Sequence, residues 1–352
     1  MFRRGASHID IERGKHVSSH SFSLRSFLRR YSFIFVIVSC ACLLLIITQG
    51  LRRLSQRRLV DSEHETCARK LARLGVDTTN GGPASVRENI YARMDGNILQ
   101  NGLSLGGVIT QGLKQSDLFV FSEVATSGVT ITPVLKPLDI PVRAMILPLL
   151  DYEVSGRIKA SVEKLLLPVL PIGAVWMQDS KLYHATLYHA SSHAIPVQAT
   201  PNEVEEEARA IRGVAGSSCP IKGVLDRIII TTSGVIVACW QVQASGTEPT
   251  DLRKDLAQAL PKSPPKEGQM VKEPSILHTT IARLLKPPEE IGQSVEATAV
   301  ELAVRELSNS LCGVTAAFEE VWFVEEQDLL ALALEGHYIK HPAPLRCPRT
   351  ST

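Results

Sequence analysis

Histidines are concentrated in one short stretch, KLYHATLYHASSH, which covers residues 181–193. It contains His184, His189 and His193, with Thr186 two positions after the first histidine. Because imidazoles bind metals and also transfer protons near neutral pH, two kinds of site are open. Either the three histidines bind a metal together, or one of them is half of a catalytic pair whose other member lies elsewhere in the chain.

A metal site is the less favoured interpretation. The stretch contains β-branched and aromatic residues and ends before Pro196, which is typical of a strand. Since side chains alternate between the faces of a strand, we expect His184 and His189 to point in opposite directions. No Cys or carboxylate lies close by in sequence to complete a tetrahedral set. We therefore expect no metal, and we expect His189 and His193 to be loop or rim residues without a catalytic role.

A second stretch repeats part of the pattern. YHATL, with His184 and Thr186, and LHTTI, with His278 and Thr280, both place His-x-Thr between apolar residues. In a strand, the histidine and the threonine of each motif share one face. Tyr188 would lie on the face of His184 and line the same groove. Two such strands side by side would bring two imidazoles and two hydroxyls together.

This set of groups suits the hydrolysis of a phosphodiester. One neutral histidine can accept a proton from water while the other, protonated, donates one to the leaving oxygen. The threonine hydroxyls can donate hydrogen bonds to the nonbridging phosphate oxygens as their charge increases. The scheme requires neither a metal nor a cofactor. The Gly-rich run GLSLGGVITQG (102–112) lacks the GK[ST] ending of a phosphate-binding loop and the spacing of a dinucleotide turn, so we expect no cofactor.

Paired His-x-Thr motifs on strands, separated by a helix, a hairpin and another helix, resemble the two-histidine (2H) phosphoesterase superfamily. More narrowly, the chain is similar to plant membrane-anchored proteins described as the RNA ligase/cyclic nucleotide phosphodiesterase family. The resemblance covers about residues 115–340. It implies a bilobal α+β fold in which two antiparallel sheets enclose a central groove and helices lie outside. It also implies roles for four residues: His184 and His278 as the acid/base pair, and Thr186 and Thr280 as the phosphate-binding hydroxyls.

The rest of the chain provides the elements for such a fold. Helix-like segments such as NEVEEEARAIRGV and TDLRKDLAQALP alternate with strand pairs such as DRIIITTSGVIVACWQVQ. In the second of these helices, Thr250 is the expected cap and Pro261 the stop. No regular βαβ rhythm appears, so the pattern predicts an α+β fold rather than a doubly wound parallel sheet.

An uncharged run, SFIFVIVSCACLLLIIT, occupies residues 32–48 and reaches about 20 residues with its flanks, enough to cross a bilayer as a helix. Arginines follow it where a signal peptide would have a small-residue cleavage site, so we expect a single N-terminal anchor. The near-flank basic residues almost balance and do not fix the orientation. An endomembrane such as the Golgi is expected, with an organelle as the alternative.

Five segments are therefore predicted. The first three are a basic tail (1–30), the anchor (31–51) and a juxtamembrane stalk and linker (52–114). The last two are the phosphoesterase-like domain (115–340) and a C-terminal tail (341–352). The five cysteines outside the anchor are scattered and do not indicate a redox compartment.

Charge limits the choice of substrate. Residues 1–60 contain eleven Lys or Arg and two acidic residues, whereas the whole chain has a net charge of +2, so the remainder is acidic. Long nucleic acids are bound largely by basic surfaces, so we expect none here. The expected activity is a metal-independent phosphodiesterase, or a ligase-like enzyme, that acts on a small nucleotide or an RNA end. The alternative is a non-catalytic, membrane-tethered protein that keeps the fold and binds nucleotides or acts as a scaffold.

Overall fold

Strands with one apolar face make up the centre of the structure, a computed structural model that describes residues 65–110, 112–124, 128–286 and 297–348. The bounds of the strands in chain order are β1 (Val108–Thr110), β2 (Leu113–Lys114), β3 (Phe119–Val124), β4 (Gly128–Pro133), β5 (Pro137–Pro148), β6 (Val175–Met177), β7 (His184–Ser191), β8 (Ile221–Ile230), β9 (Val235–Val242), β10 (His278–Leu284), β11 (Thr315–Phe318), β12 (Glu320–Asp328) and β13 (Tyr338–Pro344).

The long strands form two antiparallel sheets. One sheet has five strands in the order β11-β8-β9-β10-β6, and the other has four in the order β13-β12-β5-β7. Two smaller ladders pair β1 with β2 and β3 with β4. Because neighbouring strands run antiparallel, the α+β class with antiparallel sheets that the sequence predicts is confirmed.

Helices connect these strands and cover the sheets. Their bounds are α1 (Cys67–Arg73), α2 (Pro83–Asn101), α3 (Gln115–Leu118), α4 (Tyr152–Leu165), α5 (Pro201–Ala215), α6 (Pro249–Ala259), α7 (Ala297–Leu311) and α8 (Ala331–Leu334), with short 3-10 turns at Leu167–Val169, Ser180–Leu182 and Lys266–Gly268.

Capping residues set where several helices begin. At the start of α5, the Thr200 hydroxyl accepts a hydrogen bond from the Glu203 amide, and the Glu203 carboxylate accepts one from the Thr200 amide. The prediction of Thr250 as the cap of α6 is wrong, because the cap lies two positions earlier. This helix begins at Pro249 with Glu248 before it, because proline is well suited to the first turn of a helix.

One face of each sheet lies in a single hydrophobic core. Leu147 and Leu187 contribute to this core from the four-stranded sheet, and Trp240 and Ile281 contribute from the five-stranded sheet. Residues of α4, α5, α6 and α7 complete the core, so these helices cover the same faces. The opposite faces carry smaller apolar clusters and polar side chains, and together they line a cleft.

The region just before the motif domain differs from the prediction of a stalk and linker. There the long helix α2 packs Ile90 and Tyr91 against Val237 and Cys239, on the cleft-side face of the five-stranded sheet. Tyr91 is completely buried. From residue 65 onward the chain therefore belongs to the same compact unit as the motif strands.

Two disulfides join distant parts of the chain. Cys67 pairs with Cys312, and Cys219 pairs with Cys347. Cys239 is buried and free. The cysteine spacing does not predict these pairs, because the partners lie 245 and 128 residues apart.

The predicted basic tail and the predicted anchor, residues 31–51, lie outside the described residues. Within the described ranges, no helix combines the length and the apolar character needed to span a bilayer. The anchor therefore stays a prediction from the sequence.

Candidate active site

Strand β7 presents the first motif to the cleft. His184 and Thr186 are partly accessible, whereas Tyr183, Ala185 and Leu187 are buried in the core. This alternation follows from the two-residue repeat of a strand that has one apolar face. The structure thus places His184 and Thr186 on the same face.

Strand β10 presents the second motif in the same way. His278 and Thr280 are partly accessible, and Thr279 and Ile281 point away into the interior. The Thr279 hydroxyl accepts a hydrogen bond of 3.1 Å from the Trp240 indole. Of the two adjacent threonines, only Thr280 is therefore available to a ligand.

The two motif strands belong to different sheets and meet at the seam between them. The Tyr183 hydroxyl donates to the Ile281 carbonyl at 3.4 Å, which joins the start of β7 to the middle of β10. His184, Thr186 and Thr280 line one cavity of about 150 Å³. Neither threonine hydroxyl has a hydrogen-bond partner among the described residues, so both are free to donate into this cavity.

The His184 imidazole is oriented by its own chain. Its Nδ1 lies 2.7 Å from the Leu182 carbonyl oxygen, which makes Nδ1 the protonated nitrogen and leaves Nε2 with a free lone pair. Burial lowers the pKa of His184; the hydrogen bond to Leu182 opposes this effect, and the charge of Arg283 adds to it. His184 is therefore neutral at neutral pH and can accept a proton at Nε2.

His278 interacts electrostatically with His184 across the seam. Its pKa is lowered to about 4, by burial first and then by the charge of Arg253 and by His184. The ring makes no hydrogen bond to any residue that the structure describes. His278 is therefore neutral at pH 7. It lies on the same face of β10 as Thr280, but it is not part of the lining of the 150 Å³ cavity.

A bulge changes which residues of β7 face the cleft. In the ladder with β5, Leu187 is an extra residue, so Leu187 and Tyr188 both face the core. His189, which is only 6% exposed, then lines the cavity with His184. Three expectations are therefore wrong, because strict alternation along the strand does not hold. His184 and His189 do not point apart, His189 is not a rim residue, and Tyr188 does not line the groove.

Strand β10 has a bulge at the equivalent position. Ile281 is the extra residue in the ladder with β9, so Ile281 and Ala282 both face the core. Arg283 then lines the cavity together with Thr280. Sequence reasoning missed Arg283, although an arginine within the apolar run HTTIARLL was a signal that could have identified it.

Unpartnered polar atoms gather in this cleft. Within the described part of the chain, three buried side-chain nitrogen or oxygen atoms lack a hydrogen-bond partner: Gln178 Oε1, His189 Nδ1 and Arg283 Nη1. All three residues line the cavity with His184 and Thr186. Since buried polar groups are normally satisfied, their concentration indicates a site that a polar ligand completes.

Arg283 makes the cleft electropositive. Its side chain is 6% exposed, and no described carboxylate pairs with it. Burial lowers its pKa to about 10, which still leaves the guanidinium charged at neutral pH. Because an uncompensated buried charge is costly, the arrangement favours an anionic ligand.

Glu326 adds a carboxyl group to the cavity wall. Burial raises its pKa to about 7, and one oxygen accepts a hydrogen bond of 2.9 Å from the Leu332 amide. The side chain is therefore partly protonated near neutral pH. Its negative charge near neutral pH is therefore smaller than that of an exposed carboxylate.

Two further histidines lie outside the cavity lining. His337 contacts Asp328 and His341 contacts Glu325, both away from the cavity lining. In the described ranges, no group of three or more His, Cys, Asp or Glu side chains is placed to hold a metal ion.

No family model and no curated protein matches the chain. Among solved structures, it is similar to TT0787 of Thermus thermophilus, with 15% identity, coverage of 59% of this chain and 100% of that chain, and a TM-score of 0.39. It is also similar to Usb1 of Kluyveromyces marxianus, with 13% identity, coverage of 58% and 98%, and a TM-score of 0.35. Similarity at this level carries no argument about function.

The cleft itself is the informative feature. Two antiparallel sheets each contribute one His-x-Thr strand to it, and both strands carry a bulge directly after the threonine. Two antiparallel sheets around a cleft, with one motif strand from each, are what the resemblance of the motifs implies.

Proposed function

We propose that the protein is a membrane-anchored, metal-independent phosphodiesterase. Its substrate would be a cyclic (2′,3′-type) or 2′-linked phosphodiester of a small nucleotide or an RNA end. The observation that carries this proposal is the cavity that His184 and Thr186 of one motif strand line together with Thr280 of the other, with the unpaired, buried Arg283 in the same lining.

A bound phosphodiester would pair with the polar groups of the cleft that have no partner among the described residues. The anion compensates the charge of Arg283 and accepts hydrogen bonds from the hydroxyls of Thr186 and Thr280. These hydroxyls lie on opposite strands, so they can hold the two nonbridging oxygens from two sides. As the phosphorus becomes five-coordinate and negative charge increases on these oxygens, the same contacts become stronger.

His184 is assigned as the general base. Its Nδ1 hydrogen is held by the Leu182 carbonyl, so its Nε2 accepts the proton of the attacking water. The water oxygen forms a new bond to phosphorus, and the bond from phosphorus to the leaving ribose oxygen breaks.

His278 is assigned as the general acid. Burial and nearby positive charge lower the pKa of His278. The negative charge of a bound phosphate favours the protonated imidazole and so opposes this effect. His278 donates its proton to the leaving oxygen, and the two histidines then exchange protons with solvent to complete the cycle.

A second candidate function is nucleotide binding without turnover, and the neutral state of His278 favours it. A cleft that keeps both motif histidines neutral can bind a nucleotide without turning it over, as a tethered nucleotide-binding or scaffold protein would do. Nucleotide binding without turnover over a panel of cyclic phosphates would establish this second function.

The test is hydrolysis of a 2′,3′-cyclic nucleotide by the purified protein and by the variants His184→Ala and His278→Ala. Each variant is expected to lower kcat by about 10²- to 10⁴-fold, because each removes one proton transfer. The matched control is His337→Ala, which removes an exposed histidine outside the cleft.

Circular dichroism and the melting temperature establish that each variant is folded. Full activity in either cleft variant would refute the assignment. Activity that a chelator abolishes would point to a metal site instead.

A further inference from the structure

Arg253 lies on α6, a helix of the outer layer, yet its side chain is only 6% exposed. Its neighbours Leu252 and Leu256 are part of the large core, and they hold the helix against the sheets. The guanidinium reaches past them towards the seam where β7 and β10 meet.

The guanidinium contacts the backbone of β7 and of the segment just before β10. Its Nη2 donates to the Thr186 carbonyl at 2.9 Å and its Nε to the Leu187 carbonyl at 3.0 Å. Its Nη1 donates to the Ile276 carbonyl at 2.9 Å and also to the Pro274 carbonyl. One side chain therefore binds β7 at its motif threonine and the chain just before the motif histidine of β10.

This connection is needed because ordinary strand pairing is absent at the seam. β7 pairs with β5, and β10 pairs with β9 and β6; in the described part of the chain, no ladder joins β7 to β10. The bulge at Leu187 removes backbone groups from the ladder, and Arg253 bonds to the carbonyls there. The spacing of His184 and His278 thus depends on side chains that cross the seam.

Helix α2 supports the same segment from the other side. The Tyr91 hydroxyl accepts a hydrogen bond of 2.9 Å from the Leu277 amide and contacts the Leu277 carbonyl at 2.8 Å. One turn earlier on the helix, Arg87 donates to the Ser275 carbonyl at 2.8 Å. The residues that lead into His278 are therefore held by helical side chains on two sides.

Arg253 also carries a charge that no described carboxylate neutralises, since all four of its hydrogen bonds go to carbonyls. Burial lowers its pKa to about 10, so it remains charged at neutral pH. This charge is one cause of the lowered pKa of His278.

The other titratable groups that face His278 are His184 on β7, Cys239 on β9 and Tyr91 on α2. Burial raises the pKa of Cys239 and of Tyr91 well above their usual values, so both groups are neutral. Arg253 on α6 is therefore the permanent charge that contributes to the lowered pKa of His278, whereas Arg87 on α2 is paired with Glu248.

We propose that Arg253 is a positioning residue for the two-histidine site: it fixes the spacing of the two motif strands and sets the charge environment of His278. This inference rests on the proposed function. It predicts two separable effects, one from the fork of hydrogen bonds and one from the charge.

Two substitutions at Arg253 separate these effects. Arg253→Lys keeps the charge but cannot reach four carbonyls, whereas Arg253→Gln loses both the charge and most of the hydrogen bonds. The matched control is Arg212→Gln, which removes an exposed arginine paired with Glu205 on α5. Kinetics with a 2′,3′-cyclic nucleotide are measured below the melting temperature of every variant.

Both Arg253 variants are expected to lower kcat by about 10- to 100-fold with little change in KM. A displaced motif strand reduces the stabilisation of the transition state more than it reduces the affinity for substrate. The titration midpoint of His278, followed by NMR of the imidazole, is expected to rise in Arg253→Gln. It is expected to stay near the wild-type value in Arg253→Lys. The control should match the wild type in both measurements.

The inference is overturned if both variants keep kcat within about twofold of the wild type. It is also overturned if the His278 midpoint is unchanged in Arg253→Gln. The NMR titration needs no turnover, so it still decides the charge effect if the wild type proves inactive and the proposed function fails.

Tyr91→Phe provides a second variant in case Arg253→Gln does not fold. It removes one hydroxyl from the opposite side of the same segment. A smaller fall in kcat, about two- to tenfold, is expected, since a single hydrogen-bonding group is lost. Unchanged kcat in both Tyr91→Phe and Arg253→Lys would show that the backbone before His278 needs no support from the helices.

Discussion

Strands β7 and β10 have the same plan but differ in charge and in partners. Each has a histidine and a threonine on its cleft-side face, although His278 is not part of the cavity lining. Each then has a bulge that turns the fifth residue after the histidine into the cavity. On β7 this fifth residue is the neutral His189, and on β10 it is the charged Arg283. A pseudo-symmetric backbone therefore carries side chains of different charge at equivalent positions.

The motif histidines show the same contrast. His184 donates from Nδ1 to the Leu182 carbonyl, so its tautomer is fixed for accepting a proton. The His278 ring makes no hydrogen bond in the described part of the structure, and we expect its lowered pKa to rise when an anion binds. The proposed roles of base and acid rest on these surroundings, since the two motifs are alike.

The largest effect should come from changing the leaving group. With a nucleotide substrate, His184→Ala and His278→Ala are both expected to lose about 10²- to 10⁴-fold in kcat. With a nitrophenyl phosphodiester, whose leaving group departs without a proton, His278→Ala should recover most of its activity while His184→Ala stays impaired. Equal recovery of both variants would show that the strands do not have distinct roles.

An intermediate effect is expected from the two fifth residues. Arg283→Gln should raise KM for a cyclic nucleotide by about 10- to 100-fold, because it removes a buried charge from an anion. His189→Gln should change KM much less, because the pKa of His189, lowered to about 4 by burial and then by His193 and His184, makes it neutral. Steady-state kinetics measure KM for both variants. Equal changes in KM would contradict the assignment of a charged Arg283 and a neutral His189.

The smallest effect concerns stability, and here the two strands should behave alike. His189 and His278 both have pKa values lowered to about 4 from the usual value of 6.5. Because the histidine pKa is lower in the folded protein, the unfolded chain binds a proton at a higher pH than the folded chain does. The stability present above pH 6.5 is therefore lost as the pH falls towards 4. Between about pH 6.5 and 5 each histidine should account for a loss of about 2 kcal/mol in the free energy of unfolding.

Denaturant unfolding of the wild type and of His189→Gln over this range measures that loss. The variant should lose less stability than the wild type as the pH falls. Glu326, with its pKa raised to about 7 by burial, has the opposite sign and gains stability as the pH falls through 7. Glu326 is present in both the wild type and His189→Gln, so its contribution cancels when their pH dependences of stability are subtracted. Identical pH dependences would show that His189 is not buried in its neutral form.

Much of the site could be predicted from the sequence because it depends on the period of a strand. His184, Thr186, His278 and Thr280 lie within the first three residues of their strands, before either bulge. There the two-residue alternation holds, and each His-x-Thr pair faces one side. The α+β class followed from the order of helix-like and strand-like segments, and the two antiparallel sheets followed from the family resemblance.

Two features could not be predicted, for different physical reasons. The bulges at Leu187 and Ile281 shift the register by one residue, and no residue type in these strands marks them. Helix α2 was missed because the face that it buries includes Arg87, which is 0% exposed, whereas helix patterns are read from apolar residues. Its signal was the spacing of Arg87 and Tyr91 by one helical turn.

The position of helix α2 has a practical consequence for where a shortened protein can begin. A fragment that started at residue 115 would contain both motifs but would remove the hydroxyl that binds the Leu277 amide and the guanidinium that binds the Ser275 carbonyl. It would also lose Cys67, the disulfide partner of Cys312. The minimal stretch that can be expressed in a folded form is therefore longer than the stretch that contains the motifs, and truncation at the motif boundary should give insoluble material rather than a smaller enzyme.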